Sequence, residues 1–307
     1  MRPKTLDTLT QVLEGLMSRY RSRVADVETA VQGMVTHGLI HAPSDIQNDH
    51  IAFRTLGIPN LGISSFEKIF LHLGYEKRDR YRFEQKKLNA YWYSPPLPSF
   101  PRIFISELCV NELSSTAQEI ISRYTHSIGT DPVEAIDLDN WHEIDSFLHT
   151  PLWETPRWSD YTQLLAESEY AAWVIYNRYY LNHFTISVHE LPEPFSALSV
   201  FNDFLESLGL VLNNSGGKIK TSQDGLLLQS STVAKVVQAE FVGPHKETEI
   251  HEISGSYVEF AERRVLPEFQ DLTRNEITRS HRRDGFEVAS ADKIFESTYE
   301  EQTKRGL

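Results

Sequence analysis

Two strand-like stretches carry side chains that an ordinary core strand has no use for. HIAFRTL, residues 50–56, alternates so that His50, Ala52 and Arg54 share one face while Ile51 and Phe53 share the other. NHFTISVHEL, residues 182–191, opens with His183 in a matching place. A later strand in each half adds a carboxylate, Glu107 in RIFISEL and Glu259 in SYVEFAERR, with Glu262 as the register-shifted alternative to Glu259. Imidazole and carboxylate are donors for a divalent metal. A guanidinium presents paired donors to a planar anion. One strand histidine is ordinarily just a half-buried polar residue, but two at matched places are not independent, and together they predict a metal site. Arg54 lies roughly 13 Å beyond His50 by strand rise; aimed at such a site it would be a fork for a substrate carboxylate rather than a surface ion pair.

The elements that must position these residues come in two passes. After a helical stretch over residues 1–45, patterned by Leu9, Val12, Leu13 and Leu16 and stopped at His37-Gly38, the first pass runs from 46 to 110. It reads as strand HIAFRTL, a helix SSFEKIFLHLGY opened by Ser64 or Ser65 and closed by Gly74, strands near YRFEQ and NAYWYSP, and strand RIFISEL. The second pass, 182–265, repeats the order: strand, helix SALSVFNDFLESLGL closed at Gly209, two strands near 217–221 and LLLQSSTVA, then SYVEFAERR. The extra length of the second copy falls at VGPHKETEIHEISG, 242–255, which reads as a loop. Residues 111–181 read as a helical insertion and 266–307 as a polar tail whose last part, 285–307, either packs as a short helix or stays partly disordered, all within one domain. Such a duplication predicts two equivalent modules meeting about a pseudo-twofold axis.

Paired βαβββ units resemble the vicinal oxygen chelate architecture, an α+β fold in which duplicated modules form one cupped sheet. That resemblance implies inward-facing metal ligands on the first and fourth strands of each module, hence His50, Glu107, His183 and Glu259. Its extradiol-type members imply the subset His50, His183 and Glu259, with Glu107 as a neighbour. Two imidazoles and one carboxylate on one face suit a non-haem Fe(II) centre with open positions. HIAFRTL, NHFT and SYVEFAER further resemble the motifs of the 2-oxoadipate dioxygenase/decarboxylase family, over about residues 5–270. This resemblance implies an Fe(II) enzyme taking 2-oxoadipate and O₂ to 2-hydroxyglutarate and CO₂ in lysine breakdown, with Arg54 anchoring a substrate carboxylate. Gln229, Ser231 and Tyr93 are further candidates to line the cup; His189, His245 and His251 fall outside the matched places and read as surface or loop histidines.

The totals fit this reading. A net charge of −13 with scattered Lys and Arg argues against nucleic-acid binding, and no window approaches a membrane span or a signal peptide, so a soluble cytoplasmic protein is expected. Cys109, the only cysteine, sits in an apolar run and reads as a small buried hydrophobe. The oligomeric state is not written in the sequence. Two other readings share the fold: a glyoxalase-like isomerase or lyase that would recruit Glu107 as a fourth ligand, and a metal-free small-molecule-binding protein.

Overall fold

The computed structural model describes residues 3–306. Two helices, α1 (Pro3–Arg23) and α2 (Ala25–Thr36), precede the sheet. The first module is β1 (Asn48–Leu56), α3 (Ile63–His72), β2 (Glu76–Phe83), β3 (Leu88–Ser94) and β4 (Arg102–Leu108). Helices α4 (Ser115–Thr125), α5 (Trp141–His149), α6 (Trp158–Glu167) and α7 (Glu169–Asn177) bridge to the second module. That module is β5 (His183–Ser187), α8 (Leu198–Ser207), β6 (Lys220–Thr221), β7 (Leu227–Ser231) and β10 (Tyr257–Arg263), interrupted by β8 (Val236–Val242) and β9 (Thr248–Ser254). Helices α9 (Val288–Phe295) and α10 (Glu300–Thr303) end the chain.

Eight strands form one sheet in the order β2-β3-β4-β1-β5-β10-β7-β6. The pseudo-twofold passes between β1 and β5, which pair antiparallel, and each is flanked by a parallel partner, β4 on one side and β10 on the other. The duplicated, cupped α+β sheet expected from the sequence is therefore present. Its registers also define which residues are equivalent: His50 pairs with Arg102 and His183 with Tyr257. Two positions further on, Phe104 mirrors Glu259; five positions on, Glu107 mirrors Glu262.

Alternation sorts the two faces of the sheet. One buries Ile51, Phe53 and Phe260 under the module helices, with Phe53 4.8 Å from Phe66 of α3 and Phe260 5.4 Å from Phe201 of α8, ring centre to ring centre. The other face carries His50, Arg54, His183, Gln229 and Glu259 and is covered by α7, α9 and the segment leading into α9.

Three expectations change. Helix α3 starts at Ile63 from Gly62, not at a serine cap. The 242–255 stretch supplies the turn and second strand of a separate β8–β9 hairpin, in which Glu249, His251 and Ile253 turn inward while Thr248, Ile250 and Glu252 face solvent, so its two isoleucines fall on opposite faces and give no apolar alternation to read. The strand at 182–191 ends at Ser187, and residues 188–190 turn as a 3₁₀ helix.

Candidate metal centre

His50 comes from β1, His183 from β5 and Glu259 from β10, three neighbouring strands at the centre of the sheet. All three side chains are buried, and one donor atom from each lies within 4.8 Å of the others. The Nε2 atoms of the two histidines are 3.3 Å apart. His183 Nε2 is 3.1 Å from Glu259 Oε2, and His50 Nε2 is 3.6 Å from Glu259 Oε1. Adjacent ligands on a metal at about 2.1 Å should themselves be separated by about 3 Å, so these spacings suit three ligands on one triangular face.

The remaining contacts leave the right atoms free. His50 Nδ1 donates to Asp49 Oδ1 at 2.8 Å, and His183 Nδ1 donates to Asn182 Oδ1 at 3.0 Å, so each ring turns a bare Nε2 toward the shared space. Thr185 Oγ1 lies 3.1 Å from His50 Nε2. Gln229 Nε2 donates to Glu259 Oε1 at 2.7 Å, whereas Glu259 Oε2 is buried with no aligned hydrogen bond. A buried carboxylate oxygen left that way is costly. A divalent cation among these donors would remove the cost, and the donor set fits one.

Electrostatics agree. Burial pushes the Glu259 carboxyl up, but the two imidazoles beside it outweigh burial and hold it well below the usual carboxylate range. Burial lowers both histidines, yet Glu259 and Asp49 bring His50 out above its ordinary value, while His183 ends below. The two rings thus compete for one buried carboxylate, and a cation in the shared space would supply the positive charge that Glu259 draws on.

Arg54 projects from β1 beyond His50 and is 1% exposed. Its Nη1 donates to Thr298 Oγ1 at 3.0 Å and its Nη2 to the Phe295 carbonyl at 3.1 Å, while Nε is buried without a partner. Tyr170, Trp173 and Phe295 surround the guanidinium at 5.1–5.5 Å. Among the described residues, no carboxylate comes within 4.0 Å of it. The free space against the triad is about 20 Å³, lined by Phe104, Tyr257, Phe286, Ala291, Ile294 and Phe295. That is room for about one water.

Other sequence candidates sit differently. Glu107 turns to the helix face, where its Oε2 accepts from the Ile63 N–H at 2.9 Å. Its mirror Glu262 does the same at α8, accepting from the Leu198 N–H at 2.8 Å. Both cap helix N-termini, where an anion is favoured, and strand alternation keeps both out of the cup. Gly62 is required there: at its φ of 79°, a Cβ would come within 2.7 Å of Glu107 Oε2. Tyr93 also faces the helices and hydrogen-bonds Glu67 of α3, so it does not line the cup. Gln229 does line it; Ser231 lies at its edge, 2.8 Å from Ser297. His189 is half-buried rather than loose on the surface: its Nδ1 accepts from the Arg263 N–H at 3.1 Å. His251 stacks on Trp158, with ring centres 3.9 Å apart. Sequence reading missed Asp49, Asn182 and the C-terminal cover; the signal for the first two is that Asp or Asn precedes both matched histidines.

Comparison with known proteins places these observations in a family. Residues 12–275 match the family model described as 2-oxoadipate dioxygenase/decarboxylase. A relative from Arabidopsis thaliana, "2-oxoadipate dioxygenase/decarboxylase, chloroplastic", is 46% identical over 84% of this chain and 69% of its own length. The solved hydroxyglutarate synthase of Oryza sativa, in complex with 2-oxoadipate, superposes with a TM-score of 0.87 at 41% identity, covering 99% of this chain and 96% of that one. A glyoxalase-superfamily protein from Ralstonia eutropha, with a TM-score of 0.71 at 20% identity, covers 90% of this chain and 85% of its own and shares the fold.

Proposed function

The chain belongs to the 2-oxoadipate dioxygenase/decarboxylase family, and on that premise we propose that it converts 2-oxoadipate and O₂ to 2-hydroxyglutarate and CO₂ at an Fe(II) centre held by His50, His183 and Glu259. The equation balances: six carbons and two added oxygen atoms become a five-carbon hydroxy acid and CO₂. The observation that carries the reading is Arg54, a buried guanidinium beside the triad with no carboxylate of the chain's own as partner. A buried cation with no carboxylate in ion-pair reach, Glu169 acting on it only from a distance, is expensive, and a dicarboxylic substrate supplies a direct partner.

The chain's own groups then have separable tasks. Arg54 orients the substrate through the carboxylate remote from the reacting end, converting encounter into a fixed approach. Gln229 holds Glu259 by one oxygen and leaves the other for the metal. Trp173, Tyr170, Phe286 and Phe295 exclude water, which strengthens every charge interaction inside the cup. Fe(II), when bound, supplies the O₂ and redox chemistry that no side chain here can perform. The isomerase alternative loses its fourth donor, since Glu107 serves α3.

The test is to reconstitute the protein with Fe(II) and measure CO₂ and 2-hydroxyglutarate formed from 2-oxoadipate, with and without O₂. Equal turnover without O₂ refutes the dioxygenase reading; a protein that takes up no divalent metal points to the metal-free binding protein.

A further inference from the structure

The two histidines stand in equivalent strands, and each is held through Nδ1 by the residue just before it, yet the two holders differ in charge. Asn182 offers His183 a neutral amide oxygen; Asp49 offers His50 a carboxylate. That carboxylate is 2% exposed and fully engaged. Arg263 Nε donates to its Oδ2 at 2.6 Å and Nη2 to its Oδ1 at 2.9 Å, a bidentate grip from β10; Arg102 Nη1 adds a bond to Oδ2 at 3.2 Å from β4. Nothing equivalent surrounds Asn182: the mirror of Arg102 is Tyr257, which stacks on His183 with ring centres 4.8 Å apart. Two buried arginines thus converge on the carboxylate behind one imidazole, while Arg102 Nε also bonds Asp284 Oδ1 at 2.5 Å and Arg263 Nη1 the carbonyls of Arg283 and Gly285 at 3.1 and 2.8 Å. Fixing a ring alone does not need that expense, because Asn182 does so with an amide.

We propose that Asp49 is a positioning residue that does two things Asn182 does only by half: it fixes His50 with Nε2 toward the metal, and it places a full negative charge behind that ring, making His50 the stronger of the two nitrogen ligands. A carboxylate hydrogen-bonded to a ligating histidine raises its basicity as a donor, and such partners are typically worth 10–100-fold in metal affinity. Arg102 and Arg263 are the scaffold that makes the buried charge tolerable. The inference rests on the metal-site reading above.

The probe is Co(II), titrated into metal-free protein under anaerobic conditions, with affinity from calorimetry and ligand field from the visible spectrum. Asp49→Asn recreates the Asn-His arrangement of the second module, so orientation is kept and only the charge is lost; affinity should fall 10–100-fold and the spectrum should shift. Asp49→Ala loses orientation too and should fall further, with nitrogen NMR showing the His50 tautomer no longer fixed. The double variant Asp49→Asn/Arg263→Gln removes a buried cation with the anion and covers the case in which the single variant folds poorly; it should show the same loss. Wild-type affinity and spectrum in Asp49→Asn, with only a lowered melting temperature, would make Asp49 a structural brace and overturn the proposal. Wild-type protein that binds no Co(II) would instead overturn the metal site itself.

Discussion

Replacing Arg54 with methionine removes charge while keeping most of the volume, and the structure predicts opposite effects on binding and on stability. On substrate binding, two nitrogens now spent on the Phe295 carbonyl and Thr298 Oγ1 would turn to a carboxylate. Losing one partner of a buried, hydrogen-bonded charge pair costs about 2–5 kcal/mol, and the two existing bonds, about 1 kcal/mol each, must be surrendered first in the wild type. The net loss is about 3 kcal/mol at the upper end of that range, or about 100-fold in kcat/KM at 1.4 kcal/mol per decade. Stability should move little or upward, because replacing a buried ion by an apolar side chain is often neutral or stabilising. The assay is kcat/KM for 2-oxoadipate and for 2-oxohexanoate, which lacks the remote carboxylate, beside a denaturant melt of the metal-free protein. Arg54→Met should erase the preference for the diacid. Unchanged kcat/KM and preference together with a loss of several kcal/mol in stability would show Arg54 to be a structural residue holding the C-terminal segment, and would refute the reasoning.

The 20 Å³ left against the triad cannot hold a six-carbon diacid, so α9 and its flanks must withdraw for binding. Ser231 and Ser297, with their oxygens 2.8 Å apart, are close enough for a disulfide to lock that cover when both are changed to cysteine; oxidation of the double variant should raise KM at least tenfold over its own reduced form, and equal KM in both states would show that no withdrawal is needed. Glu107→Gln and Glu262→Gln should each lower stability by about 1 kcal/mol in a thermal melt, as for a weakened helix N-terminus, and leave metal content unchanged; metal loss in Glu262→Gln would return that residue to the ligand set. His189 is held down to about 3, chiefly by burial and then by Arg282 and Arg263, against an ordinary value of 6.5. Between pH 6.5 and 3 the unfolded chain therefore binds the extra proton, and stability should fall as pH drops through that window by roughly 2–5 kcal/mol. His189→Gln should flatten that slope, and an unchanged slope would assign the acid sensitivity to other groups.

The elements with clear period were legible in the sequence. Strand alternation located β1 and β4 closely, glycine marked the ends of α3 and α8, and the repeated order gave the cup. Matched placement of His50 and His183 needed only the duplication. The third ligand was harder, because Glu107 and Glu259 occupy similar strands but opposite faces, and a strand's sequence says which residues share a face without saying which face is inward. Register decides it: Glu107 mirrors Glu262. The same ambiguity misplaced Tyr93. The C-terminal cover was illegible for a different reason, since Phe286, Ile294 and Phe295 are three apolar residues in a polar tail and their shared target is the far-separated sheet face.

The duplication also explains why the site can be an enzyme centre rather than a symmetric metal clamp. Each symmetric position retains what both modules need: the two histidines turn their donor nitrogens to one shared space suited to a metal, and Glu107 and Glu262 start a helix. Each position that differs changes the chemistry. Glu259 mirrors Phe104 across the pseudo-axis, so where a fourth donor would stand there is an apolar wall. Arg54 faces Ser187, so one rim of the cup carries a charge for an anionic ligand and the other does not. Arg102 faces Tyr257, so only the first module can sustain a buried carboxylate behind its histidine. A fully symmetric cup with Glu259 repeated at position 104 would offer a metal four protein donors and present identical rims. Three differences, each on the same face of the sheet, leave instead three donors, one apolar wall and one charged rim.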